Sequence, residues 1–395
     1  MNNLSLSEKL KHLLAIVQKQ SDNEEFIYGV TSREGRGIFT RIKDFFIDRS
    51  SVPVQQKAYF FELLGTMLRA GISLNKVLLI LSKKTENMRL RRIIATLSYE
   101  LEHGRPLSAA LNRFPDVFDQ SERGAIRSAE AVGHLEQMLF KIAANLERRV
   151  TLNMRLKSAL IYPVVVLASL VIAGTVMIVF VVPRMRELFA GSTVNLPLIT
   201  KILLNGSTFL SEFWWLFAIL IIFGAVVFHT YSNSENGKLD WDFRKLKFAF
   251  IGPILRKIYV LRFVDTLGIL LESGLPIGQC LECTAEAIGN EVYRLKTFEA
   301  LGAVTEGRKL SSSIAESPFL FPETVVNMIA IGEQAASLSD ISQKIGAHFE
   351  REIDHTLKNM TTVLGPLLIL LIGASVAFFA LAIMTPIFSL TQSLS

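Results

Sequence analysis

Cys280 and Cys283 form a C-x-x-C pair, a spacing that elsewhere holds zinc or exchanges disulfides. A zinc site needs a second ligand pair, and none is close in sequence. A redox role wants a βαβ setting, which the flanking residues do not supply. Two buried or half-buried thiols on a helix face are therefore expected. His348 and His355 are two turns apart on one helix, with no carboxylates at ligand spacing, so no metal site is expected there. The motifs G-x-x-x-x-G-K-[ST], H-E-x-x-H and G-x-S-x-G do not occur, so the chain is not expected to hydrolyse ATP or to be an enzyme. No cofactor and no nucleic-acid partner are expected.

The elements that carry these residues are not those of an ordinary soluble protein. Half of the 395 residues are hydrophobic, yet 20% are charged. The mean hydropathy of +0.38 is too high for a soluble domain. Such numbers exclude disorder, a collagen-like fibre and a disulfide scaffold. They imply apolar runs concentrated in a few places.

Three uncharged runs stand out, expected as transmembrane helices at 158–183, 213–231 and 363–390. The first lies between Lys157 and Arg184, and its 26 residues suffice for a helix of about 39 Å, more than a bilayer core. The second opens beside Trp214 and Trp215, an aromatic pair suited to a membrane interface. The third follows Lys358, after which no charge occurs. No ionisable residue interrupts the first and third, and the second holds only His229, which argues against an ion-coupled transporter. Eleven Lys and Arg flank one side of these runs, among them Lys238, Arg244, Lys245 and Lys247. Arg184, Arg186 and Lys201 flank the other, which puts the N-terminus in the cytoplasm and the C-terminus outside. The Met1–Lys19 segment has only a short apolar run, so the first span is expected to act as the insertion signal.

An internal repeat organises the chain. Shifted by 203 residues, the sequence matches itself without gaps. Gly71 falls on Gly274, Gly104 on Gly307, Glu130 on Glu333 and Pro163 on Pro366. Each copy reads as a helical bundle of about six helices, the last continuing into a membrane span. Met138, Leu139, Ile142, Ala143, Leu146 and Val150 follow the helical spacing, as do Ile341, Ile345, Phe349 and Ile353. The glycines sit where helices should end. The fold class is thus all-α: two repeated cytoplasmic bundles plus three transmembrane helices. The expected segments are an N-terminal segment at 1–54, bundles at 55–157 and 261–358, an outer loop at 184–212 and a cytoplasmic linker at 232–260. Within that loop Leu198–Leu210 is amphipathic and suited to a membrane surface. Residues 1–157 carry 25 basic and 17 acidic groups, while 231–358 carry 14 and 17, so the two bundles are read either as ordinary solvated surfaces or as facing different partners.

With repeat and spans in this order, the sequence resembles the inner-membrane platform proteins of type IV pilus assembly and type II secretion. The resemblance rests on Phe60–Leu74 and its copy Phe263–Ile277, on Gly104-Arg105-Pro106-Leu107, on the Glu130 and Glu333 segments, on Ala159–Pro163, and on Pro386-Ile387-Phe388. It covers about residues 55–395. It implies a scaffold in the bacterial inner membrane that couples a cytoplasmic hexameric ATPase to the movement of pilin or pseudopilin subunits. Other inner-membrane assembly proteins and a second copy of the chain, as a homodimer or higher oligomer, are further implied partners. A transporter or channel with large cytoplasmic domains is the rival reading. Each copy keeps one of the two glycines the family carries around its glutamate: Gly133 in the first, Gly332 in the second. Gly365 precedes Pro366 where many relatives have a glutamate, so no role for an intramembrane acid carries over. Glu130 and Glu333 are read as helix-capping or packing groups, or as partner contacts. Pro163 and Pro366 are expected to kink the spans, and Gly373 with Ala377 offers a small-residue helix contact. The N-terminal run Leu6–Val17 and the polar stretch Ser32–Gly37 are candidates for the ATPase contact.

Overall fold

Side-chain caps start three of the described helices, and glycines at positive φ follow the ends of several. The computed structural model describes residues 26–28, 38–184, 198–249 and 251–394. The Leu6–Val17 run, the Ser32–Gly37 stretch and residues 185–197 of the expected outer loop lie outside the described residues. Helix α1 (Ile38–Arg49) precedes the first repeat copy, which comprises α2 (Val54–Arg69), α3 (Leu74–Lys84), α4 (Met88–Glu102), α5 (Leu107–Leu111), α6 (Gln120–Val132) and α7 (Leu135–Val176). Asn87 caps α4, its side chain accepting from Leu90 N at 2.9 Å. Asp119 and Glu122 form a reciprocal capping box on α6.

After α8 (Leu198–Asn233) and α9 (Glu235–Lys247), the second copy repeats the order with α10 (Gly252–Glu272), α11 (Ile277–Ala287), α12 (Glu291–Thr305), α13 (Leu310–Ala315), α14 (Glu323–Gln334) and α15 (Leu338–Leu394). Each of the five helix starts from α11 to α15 lies 203 residues after its counterpart from α3 to α7. The sequence repeat is therefore a repeat of structure, with six helices per copy among the described residues and no strand among them.

Most of both copies, apart from their apolar helix ends and the starts of α10 and α12, falls in one compact unit, formed by the described residues up to Leu152 with Val260–Gly289 and Tyr293–Gly346. Its interior repeats too. Phe60, Phe61 and Phe118 cluster in copy one with centroids 5.2–6.3 Å apart. In copy two, Phe263 and Tyr293 flank Phe321 at 5.1 and 5.5 Å. Tyr293 is fully buried, so its hydroxyl needs a partner, and it donates to Leu320 O at 2.8 Å.

The second unit, Asn153–Tyr259, Asn290–Val292 and the residues from Ala347 onward, holds the apolar helices. Among the described residues two helices are long and apolar enough to cross a membrane, Leu135–Arg184 and Leu338–Thr385. Each begins as the last helix of a repeat copy and runs on without a break. The first passes through one π-helical turn, Met177–Val181. The two helices meet where Val182 and Ala382 are buried with Phe379. The expected span at 213–231 belongs to α8, which is interrupted at Phe213 (φ −109°, ψ 16°) and ends in a shorter apolar stretch, Ile222–Ser232.

Candidate functional site

A five-residue helix cannot satisfy its own first N–H groups. In copy one that helix is α5, and Glu130 on α6 supplies the acceptors. Its carboxylate receives Leu107 N at 2.6 Å, Ser108 N at 3.1 Å and Ser108 Oγ at 2.7 Å. In copy two Glu333 receives Leu310 N at 2.6 Å, Ser311 N at 3.2 Å and the Ser311 hydroxyl. Each glutamate thus fastens a short helix to the next long one through charge-assisted bonds at a helix N-terminus.

Gly71, Gly104, Gly274 and Gly307 all end helices with φ between +80° and +84°. Gly133 ends α6 at φ +77°, but its counterpart is Ala336, held at φ +50°. That is the only described non-glycine residue with positive φ, and it pays the steric cost of a Cβ there. Gly332, the glycine copy two does keep, is needed for space: a Cβ there meets Ile341 and Leu338 side chains at 3.2 Å.

The two copies pack on each other inside the first unit. A Cβ on Gly124 of α6 lies 3.4 Å from Cys283 Sγ and 3.8 Å from Leu270 and Leu275. Ser128 donates to Ser273 O. Lys141 pairs with Glu272, and Arg149 reaches Thr266 Oγ1 at 3.5 Å. The seam is not symmetric: the counterparts of Gly124 and Ser128, Asn327 and Ile331, are exposed.

Beside this seam copy one holds a charged network, with Lys57 and Glu122 buried and Asp119 and Arg149 partly exposed. Lys57 Nζ donates to Val117 O at 2.9 Å and lies 2.8 and 3.0 Å from the two Glu122 oxygens. Arg149 lies 3.3 Å from Asp119 Oδ2. Burial, then the neighbouring Asp119 charge, pushes the Glu122 carboxyl up to about 7 despite Lys57. Burial works against Asp119 as well, but Arg149, Lys57 and its hydrogen bonds outweigh it and hold that carboxyl below its ordinary value. A small cleft lined by Glu122, Asn145, Arg149 and Thr266 opens beside the network. In copy two Val260, Pro322 and Val325 stand at the positions of Lys57, Asp119 and Glu122. Sequence reading missed this network, and the valines in the second copy were the available signal.

The remaining sequence candidates are dispersed. Cys280 and Cys283 are buried, unbridged thiols, and burial raises both, Cys280 to about 12. His348 faces Glu352 at 3.7 Å, and among the described residues no group of three metal-ligating side chains occurs. Pro163 lies buried inside α7, while Pro366 is exposed on α15. A Cβ on Gly373 meets nothing within 4 Å.

These features are those of a duplicated helical domain running into an apolar helix, and the comparison with known families turns on the duplication. The model of the type II secretion system protein F family matches twice, at residues 60–183 and 263–386. The chain belongs to this family. The two matches start and end 203 residues apart, the same offset that relates α3–α7 to α11–α15. The chain is similar to a type IV pilus assembly protein PilC of Thermus thermophilus, 29% identical over 91% of this chain and 88% of that protein. It is 29% identical to PilC of Pseudomonas aeruginosa over 84% of this chain and 89% of that one. A type II secretion system protein F of Aeromonas hydrophila is 28% identical over 88% of this chain and 89% of its own length. As a protein F family member, the chain carries its glutamate-capped helix in both domains, with Glu130 and Glu333 inside the two matched ranges.

Proposed function

We propose that this chain is the inner-membrane platform of a type IV pilus or type II secretion machine. It couples a cytoplasmic hexameric assembly ATPase to the movement of pilin or pseudopilin subunits into the fibre. The observation that carries the reading is the twice-matched family domain, in which each bundle's last helix is also an apolar, membrane-length helix. A displacement of either bundle has a continuous helix along which to act. The chain itself is read as non-catalytic, with the energy supplied by the ATPase.

In this reading three segments cross the membrane, at 158–183, 213–231 and 363–390, with the N-terminus cytoplasmic and the C-terminus periplasmic. The middle crossing returns the chain so that both copies start on the cytoplasmic side. Residues 1–54 contribute to the ATPase contact, and the exposed pair Gly373 and Ala377 offers a close-packing face to another membrane helix. Detergent-solubilised protein purified from its host should carry the assembly ATPase with it. Co-purification that survives deletion of residues 1–50 would refute the N-terminal contact, and absence of any ATPase would refute the coupling.

A further inference from the structure

We infer that α9 and the turn after it, through Arg244, Lys247, Phe248 and Ile251, form an element that binds anionic phospholipid headgroups at the membrane surface. The helix is tied to the end of the apolar stretch Ile222–Ser232. Trp241 packs edge-on against Phe228 at 4.7 Å, and Tyr231 OH donates to Asp240 at 3.2 Å. Ser234 caps the helix at Gly237 N, where Tyr231 O comes so close that a Cβ on Gly237 would stand 1.9 Å from it. The turn is therefore tight, and α9 stays beside the point where α8 ends.

One face of α9 is packed. Leu246 is buried, and buried Asp242 accepts from Glu291 N at 2.9 Å and from Lys245 Nζ at 3.0 Å. The other face is basic and apolar together. Arg244 and Lys247 are exposed in the last turn, with Lys247 Nζ 4.3 Å from the Phe243 ring centre. Phe248 and Ile251 follow at 61% and 49% exposure. Basic residues at a helix C-terminus also offset the macrodipole, but that role does not account for the exposed apolar pair beside them. Cations over apolar side chains at the end of a membrane helix are what a surface of phosphate headgroups above acyl chains complements. The Arg and Phe recur 203 residues earlier, as Arg41 and Phe45, and Phe45 is 56% exposed on α1.

The inference rests on the chain being membrane-inserted, and the experiment separates the two. Full-length protein is reconstituted into vesicles of phosphatidylglycerol and phosphatidylcholine in equal parts and floated. Failure to float contradicts the membrane reading itself. Floated protein is then extracted and its retained lipids are read by native mass spectrometry. Phosphatidylglycerol should be retained over phosphatidylcholine. Arg244→Gln/Lys247→Gln, which leaves the Lys245–Asp242 pair intact, should lower that preference about twenty-fivefold, at about fivefold per cation. No preference, or a preference the double variant keeps, overturns the inference. A second measurement places Phe248→Trp in a background with Trp214, Trp215 and Trp241 changed to Phe. Its fluorescence should be quenched by brominated phosphatidylglycerol; a water-exposed, unquenched signal, or one shielded by a bound protein, overturns it.

Discussion

Lys57 and Glu122 form an ion pair of 2.8 Å with both side chains buried, and the residues at the same two positions of the second repeat are Val260 and Val325, equally buried. One backbone geometry thus carries two solutions to the same packing problem. In copy one Glu122 also accepts from Asp119 N at 3.0 Å; in copy two Pro322 has no N–H there to satisfy. Donor, acceptor and counter-ion have been exchanged together.

That relationship makes the pair separable by mutation. Lys57→Val alone strands a buried carboxylate and is expected to cost about 3–5 kcal/mol. Lys57→Val/Glu122→Val reproduces the second copy's choice and should lie within about 1 kcal/mol of the wild type, the lost capping box being the main residual cost. Thermal unfolding of the full chain in detergent measures both, and a double variant as unstable as the single one would contradict the equivalence.

Proton linkage at the same site has a definite sign. The folded Glu122 carboxyl titrates at about 7 against an ordinary 4.5, so between those values the folded state holds a proton the unfolded state has lost. Its contribution to stability is fully present below about 4.5 and is lost as the pH rises to about 7. Asp119 is displaced the other way and loses its contribution only as the pH falls below the ordinary carboxylate range. Glu122→Gln should therefore flatten the decline in melting temperature across that window. An unchanged slope would show that Glu122 does not titrate there.

The glutamate caps predict matched effects in the two copies. Glu130→Ala and Glu333→Ala each leave two backbone N–H groups and a serine hydroxyl without their acceptor, at about 2–3 kcal/mol. Glu130→Gln and Glu333→Gln keep an acceptor and should cost about half as much. Fibre assembly read on the Gln variants distinguishes a purely structural role from a partner contact: a variant that stays folded but fails to assemble has lost a contact.

Much of the fold was legible because a duplication leaves a pattern that needs no tertiary knowledge. The constant offset located Gly71, Gly104, Gly274 and Gly307, and only a residue free of a Cβ suits the positive φ each adopts. Two of the three uncharged runs marked the long apolar helices for the same reason: their signal is local composition. The seam was not legible. Gly124 against Cys283 and Ser128 against Ser273 join residues about 150 positions apart, and nothing in either segment alone announces its partner. Nor did the sequence announce the docking of Tyr28, whose N–H donates to Thr96 Oγ1 at 3.0 Å and whose hydroxyl donates to Asp48 at 2.6 Å.

Backbone strain offers a stabilising change. Ala336 occupies the left-handed conformation that Gly133 takes in copy one. Ala336→Gly should raise stability by about 0.5–1 kcal/mol and Gly133→Ala should lower it by a similar amount. Opposite shifts in melting temperature of a few degrees are expected, and shifts of the same sign would contradict the shared geometry.

The central claim is that this chain is the membrane component through which a pilus or secretion fibre is assembled. Its most direct test is an in-frame deletion of the gene in its host, with the assembly ATPase and pilin still produced, followed by electron microscopy of surface fibres and assay of secreted substrate. The account predicts that fibres or secretion are lost and return when the wild-type chain is supplied in trans. Fibres and secretion at wild-type levels in the deletion strain would contradict it.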